Sequence, residues 1–232
     1  MIQDTRTHRY SLKYGPLLTI AVILIAGSAD AAGFGAYVGY ARSEGEVEGE
    51  IFVDIEADHE RDAAEFGFVL DTNLAQDRLF NYRLHVGFMR GKREYTVTNV
   101  NGIDLDCSRF DCSFKDETFG VAIDNTFGFG VLRTRTVRLW IGPTIRLAID
   151  GCTDCSGYDS TFIGFGAGPT IGLNINIGDH FTVGPSLGYN YMLGAQVEDS
   201  GGDDEAFTGG QHQISLLFNF FYRSGSDNFD SK

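Results

Sequence analysis

The sequence predicts an all-β chain, an eight-stranded antiparallel transmembrane β-barrel of up-and-down topology. Three observations carry this. Apolar residues recur at every second position in eight separate segments. Phenylalanine and tyrosine number 19 and 10, and glycine 30, against only 4 prolines. Long polar connections alternate with short turns. Glycine and aromatic residues in these numbers disfavour long helices and suit twisted, closely packed strands. A mean hydropathy of -0.10 does not oppose a membrane barrel, because only alternate residues of a spanning strand meet lipid.

Before the first strand, residues 1–31 read as a secretory signal. Arg6, Arg9 and Lys13 form a positive leader, Leu17 to Ala26 an apolar run, and Ala29-Asp30-Ala31 a small-residue cleavage site. The run is too short for a membrane helix, which needs about 20 apolar residues. Cleavage after Ala31 is expected. Of the 18 basic and 32 acidic residues, Arg6, Arg9, Lys13, Asp4 and Asp30 lie in this segment. The mature chain then holds 15 basic and 30 acidic residues, a net charge of -15. Nucleic acid is excluded as a partner, because phosphate binding needs a basic face.

Residues 32–223 form the expected barrel. Each segment has a greasy phase and a small or polar one. The first runs over 33–42, with Phe34, Ala36, Val38 and Tyr40 against Gly35, Tyr37, Gly39 and Ala41. The second (64–71) sets Phe66, Phe68 and Leu70 against Glu65, Gly67 and Asp71. The third (79–90) sets Phe80, Tyr82, Leu84, Val86 and Phe88 against Asn81, Arg83, His85 and Gly87. The fourth (117–131) sets Phe119, Val121, Ile123, Phe127 and Phe129 against Gly120, Asp124 and Gly128. The remaining four, 137–149, 161–177, 181–192 and 212–222, repeat the pattern, from Val137, Leu139 and Ile141 to Phe218, Phe220 and Tyr222. Most match the roughly 9–11 residues that a tilted strand needs to cross a bilayer.

Which phase faces outward follows from bulk. The apolar set is too large and continuous to fill so small a barrel, whereas glycine and short polar residues fit its interior. Apolar residues therefore face lipid, and closure pairs every backbone group. Segments 43–62, 91–116, 150–159 and 194–210 read as long outer loops. Thr72 to Arg78, Leu132 to Thr136 and Gly178-Asp179 read as short periplasmic turns, and residues 224–232 as a short periplasmic tail.

Over residues 33–223 the chain resembles the small eight-stranded outer-membrane barrels of the OmpA transmembrane-domain and OmpX type. The resemblance rests on the opening Gly33-Phe34-Gly35-Ala36-Tyr37-Val38-Gly39-Tyr40 and on Gly142-Pro143-Thr144-Ile145, Gly168-Pro169-Thr170-Ile171 and Gly184-Pro185-Ser186-Leu187. It also rests on the final strand Ile214 to Tyr222, similar to the signal read by the barrel-insertion machinery. Such signals usually end the chain on an aromatic residue, whereas here a tail follows. The resemblance implies a protein of the bacterial outer membrane, with lipid and lipopolysaccharide as surroundings and the insertion machinery as a partner. The wall-tethering domain of full-length OmpA is not expected.

Candidate site residues follow from phase. Glu65, Asp71, Arg83, His85, Asp124, Arg138 and Arg146 point into the lumen, with opposite signs on adjacent strands. They are expected to pair and plug it; a conducting pore is the sharper alternative. Cys107, Cys112, Cys152 and Cys155 lie in outer loops, where disulfides in one of three pairings are expected. Zinc held by both cysteine pairs is the alternative. The first loop holds Glu44, Glu46, Glu48, Glu50, Asp54, Glu56, Asp58, Glu60 and Asp62, and the fourth holds Glu198, Asp199, Asp203, Asp204 and Glu205. These read as a solvated surface, with bridging divalent cations as the sharper option. Catalysis is not expected. His85 faces the lumen, and around His212 the inferred neighbours Arg42, Glu44 and Tyr191 include no serine. No cofactor or metal is expected. Tyr40, Phe66, Phe80, Tyr82, Phe119, Phe181, Tyr191 and Tyr222 read as interfacial girdles. The expected role is structural or surface interaction, through an extracellular ligand of the four loops; a narrow porin-like channel is the alternative.

Overall fold

The computed structural model describes residues 33–50, 54–72, 79–107, 112–155, 158–199 and 204–223. The expected signal peptide (1–31), most of the Thr72 to Arg78 turn and the tail (224–232) lie outside the described residues. Strands are β1 (Gly33–Glu50), β2 (Asp54–Asp71), β3 (Phe80–Val100), β4 (Ile103–Asp104), β5 (Ser113–Arg133), β6 (Val137–Cys155), β7 (Tyr158–Ile177), β8 (Phe181–Asp199) and β9 (Asp204–Arg223). The two-residue β4 pairs only with the end of β3. The other eight form one antiparallel sheet that closes on itself where β1 pairs with β9.

The shear of the barrel can be read from its register. Passing from partner to partner, Glu44 faces His212, then Tyr191, Ala167, Ile145, Asn125, Leu84, Leu70 and Phe34. The circuit leaves β1 at residue 44 and returns at residue 34, so the sheet is offset by 10 residues around the ring. Closure with such an offset tilts the strands by about 40–45°. β1 has 18 residues and β3 has 21. At about 3.3 Å per residue, such strands rise roughly 45–50 Å, nearly twice the apolar band of about 25 Å that a membrane barrel presents.

Each strand alternates between exposed and buried positions in the phase predicted. Phe34, Val38 and Tyr40 are exposed while Tyr37 and Ala41 are buried. Phe68 is 73% exposed between Gly67 and the buried Val69. Large apolar side chains cover the outside of all eight staves, which is untenable in water and suits hydrocarbon. Two aromatic girdles bound this belt. Near the turn end, Phe80 meets Phe129 at 5.7 Å, and Phe34 and Phe181 both meet Tyr222, at 5.6 and 5.8 Å. Near the other end, Phe66, Phe88 and Phe119 form a ladder with centroids 5.7 and 6.0 Å apart.

The short connections are tight. Gly178 adopts a positive φ of 60° between β7 and β8, where a Cβ would be strained. Between β5 and β6 the Val137 N–H donates to Thr134 Oγ1 at 2.9 Å. The four segments read as long loops are different from expectation. Residues 43–50, 54–62, 91–100, 113–116, 150–155, 194–199 and 204–210 all continue as strand. On β1, β2, β3 and β5 the alternation persists into them, but outward residues such as Glu46, Asp58, Lys92 and Lys115 are charged, which hides the strand from an apolar criterion. At the tip of β3, Asn101 and Gly102 carry φ of 54° and 74°, the paired positive values of a type I′ Asn-Gly hairpin.

Candidate functional site

The lumen is the site that the sequence singles out, and its side chains stack in layers along the barrel axis. Lowest, at the turn end, Asp71 forms an ion pair with Arg83 at 2.7 Å and accepts from Asn81 Nδ2 at 3.1 Å. Arg83 also donates to Asn174 Oδ1 at 2.8 Å, to which Trp140 Nε1 donates at 3.3 Å. The Arg83 guanidinium lies over the rings of Trp140 (4.6 Å) and Phe221 (4.9 Å). Arg138 donates to Asn81 Oδ1 at 3.2 Å, and Arg223 to the Gly178 carbonyl at 2.5 Å. Trp140 fits because Gly172 faces it: a Cβ there would fall 2.2 Å from the indole.

In the middle layer, Arg146 bridges two carboxylates. It reaches Asp124 at 2.9 and 3.1 Å and also forms an ion pair with Glu65 from across the barrel. All three are buried. His85 Nε2 donates to Asn219 Oδ1 at 2.7 Å, an orientation fixed by Asn219 Nδ2 donating to the Gly184 carbonyl at 2.7 Å. Tyr37 stands edge-on to His85, at 4.9 Å. Its phenol occupies the space left by Gly87, where a Cβ would meet the oxygen at 2.0 Å. Thr126, Thr144 and Thr170 join across three strands at 2.8 and 2.7 Å.

Above this lies an apolar septum. Met89 and Met192 are fully buried and cluster with Ala122 and Ala148. Met192 lies across Gly166, whose Cβ would fall 2.3 Å from its sulfur. Met89 Sδ accepts from Arg146 Nη2 at 3.3 Å below and from Arg61 Nη2 at 3.8 Å above. The uppermost layer follows. Asp150 forms ion pairs with Arg93 and, at 3.3 Å, with Arg61. Arg93 donates to Gln196 Oε1 at 3.2 Å and lies 5.4 Å over the Phe162 ring. His59 is buried beside Tyr95, at 5.1 Å. It lies beyond the apolar belt, which on β2 spans Ala64 to Leu70. Burial, with Arg93 and Arg61 close by, pushes its imidazole down to about 3.

Every lumen residue singled out from the sequence faces inward, though its partner is often not on the next strand. Glu65 meets Arg146 across the barrel, and His85 meets an amide rather than a carboxylate. Sequence reasoning missed Arg61, Arg93 and Asp150, because they fell in segments read as loops. The signal that would have found them is the period itself: Arg61, Ala63 and Glu65 continue one inward row, as do Met89, Gly91 and Arg93.

Outside the lumen, Cys107 and Cys112 form a disulfide with Cα atoms 5.7 Å apart. Cys152 is also disulfide-bonded, while the Cys155 side chain lies outside what is described. Oxidised, Cys107 and Cys112 do not serve as zinc ligands. The described carboxylates of the first hairpin face one another across β1 and β2: Glu44 opposite Glu60, Glu46 opposite Asp58, Glu48 opposite Glu56. Side chains of 198–206 lie outside the described set. His212 is exposed on the outer wall, with Nδ1 2.5 Å from the Tyr189 hydroxyl.

No family model and no curated protein matches the chain. Solved structures do. The outer membrane protein OprG from Pseudomonas aeruginosa superposes with a TM-score of 0.57 at 10% identity, over 86% of this chain and 99% of that one. Neisserial surface protein A aligns at 14% identity and a TM-score of 0.35 over 81% and 97% of the two chains. The outer membrane protease OmpT from Escherichia coli aligns at 8% and 0.35 over 84% and 97%. What is shared is the fold: the architecture is that of the small outer-membrane β-barrels as a class.

Proposed function

We propose that this chain is an integral protein of the bacterial outer membrane, exported with a signal cleaved after Ala31. It acts without catalysis, as a sealed barrel that holds an acidic rim outside the bilayer for structural and surface-interaction roles. One observation carries the reading: a complete outward apolar belt encloses a lumen filled by ion-paired side chains below and above a methionine septum, Asp71 with Arg83 and Arg146 with Glu65 and Asp124 below it, Asp150 with Arg93 and Arg61 above it. The side with tight turns is periplasmic and the tall rim extracellular. Lipid and lipopolysaccharide surround the belt, and the insertion machinery places it.

The alternative is a narrow channel for ions or small solutes, which the polar wall along the lumen would favour. Conductance decides between the two. Refolded protein in planar bilayers should show no stable openings, whereas Met89→Ala with Met192→Ala should leak. Stable wild-type conductance in the nanosiemens range would replace the sealed barrel by the channel. Fractionation of cells, with protease cleavage near 51–53 from outside, tests placement and orientation.

A further inference from the structure

The outer wall carries a cleft of about 570 Å³ where β1, β8 and β9 leave the apolar belt. On β8 the belt continues through Tyr191 and Leu193, 46% and 58% exposed. On β1 it has already ended, and Glu46 and Glu48 form the opposite wall. His212 closes the lower end. Its ring lies 5.1 Å from that of Tyr191 and stacks at 5.9 Å on Tyr189. Tyr189 and His212 satisfy each other through the hydroxyl and Nδ1. The cleft exists because an outward position on β9 is Gly210. A Cβ there would sit 2.3 Å from the Tyr191 hydroxyl, so the phenol leans over bare backbone.

The charge state of this cleft is unbalanced. Across β1 and β2, Glu46 faces Asp58 and Glu48 faces Glu56, like charges at cross-strand distance that repel. Toward β9 they face Gly210 and Thr208, which bring no charge. Among the described residues neither carboxylate has an ion-pair partner, and the nearby Arg42 is already engaged by Glu44 and Glu60, at 2.8 and 3.4 Å. Aromatic rings beside carboxylates form the chemistry that recognises organic ammonium ions, through ring faces and charge together. Leu193 and the adjoining belt add an apolar surface for a hydrocarbon tail.

We infer that this cleft binds an organic ammonium cation with an apolar tail, held where the membrane band meets the rim. The tail lies along Leu193 and the belt, the ammonium against Tyr191, between the ring and the carboxylates of Glu46 and Glu48. The site is on the outer wall, so it stands or falls independently of whether the lumen conducts.

The test uses the full chain in maltoside micelles, with hexyltrimethylammonium as probe and hexyl sulfate and hexyl glucoside as tail-matched controls. Amide shifts of Gly45, Gly194, Gly209 and Gly210 report occupancy. Saturable shifts are expected with the ammonium alone. The Glu46→Gln, Glu48→Gln double variant should weaken binding about tenfold, the sum of two partly exposed charge contacts. Gly210→Leu should abolish it by filling the cleft, with heat-dependent gel mobility confirming that the barrel is folded. Since the glutamine variants change only exposed side chains, they keep the question answerable if the leucine variant does not fold. Equal binding of hexyl sulfate, an unchanged affinity in the double glutamine variant, or no saturable shift with the ammonium would each overturn the assignment.

Discussion

The belt half and the rim half of this barrel share the same eight strands and the same inward phase, but differ in what faces out. In the belt half, Phe68 and Phe88 point outward while Glu65 and Arg146 are buried inside. In the rim half, Glu46, Asp58 and Glu60 point outward, yet Arg61, Arg93 and Asp150 are buried, at 5, 1 and 2% exposure. The interior is thus indifferent to the solvent outside. Backbone closure and the crowded bore of an eight-stranded ring impose it at both heights. The exterior alone records where lipid ends.

The largest effect should come from breaking the lumen of the belt half. Arg146→Ala leaves Glu65 and Asp124 buried without their cation, and should cost about 3–5 kcal/mol in urea titrations of the refolded barrel. Adding Glu65→Gln and Asp124→Asn should recover much of that loss. Next comes the exterior. Phe68→Arg places a charge in mid-belt and should cost about 2–4 kcal/mol. On the rim, Asp58→Arg should change stability by no more than about 0.5 kcal/mol and tend toward a gain, because it relieves repulsion with Glu46. If the two exteriors responded alike, the division into belt and rim would fail.

Smaller effects probe the rim interior. The imidazole of His59 sits far below its ordinary value when folded, at about 3. Between that value and about 6.5 only the unfolded chain takes up this proton, so stability should fall as pH drops through that window, by up to about 1.4 kcal/mol per pH unit. His59→Gln should remove this part of the pH dependence; an unchanged slope would show His59 to be accessible to protons. Reduction of Cys107–Cys112 should lower the free energy of unfolding by no more than about 2 kcal/mol, because the bridge, at a sequence separation of 5, closes a short loop and removes little entropy from the unfolded chain.

Much of this was legible in the sequence because a strand displays its two faces at a period of 2. Tyr37, Glu65, Arg83, Asp124 and Trp140 could each be assigned inward without coordinates. The limit of that reading lay at Arg42 on β1 and Asp62 on β2. There outward residues become charged, so alternation of hydropathy fades although alternation of direction does not. Arg61, Arg93 and Asp150 were lost at that boundary. The Asn101-Gly102 pair is a hairpin signal in its own right, and its positive φ values at the tip of β3 match it.

By itself the sequence determined the fold class, the number of staves and which face of each meets lipid, since these follow from local periodicity and bulk. Only the tertiary structure decided the shear of 10 residues, and with it which residues share a height. The shear brings Glu65 of β2 to Arg146 of β6, lays Met89 and Met192 in one septum, and sets Tyr191 and His212 beside Glu46. Those contacts cross the bore or join distant strands, and no local pattern in the chain encodes the offset at which a sheet closes.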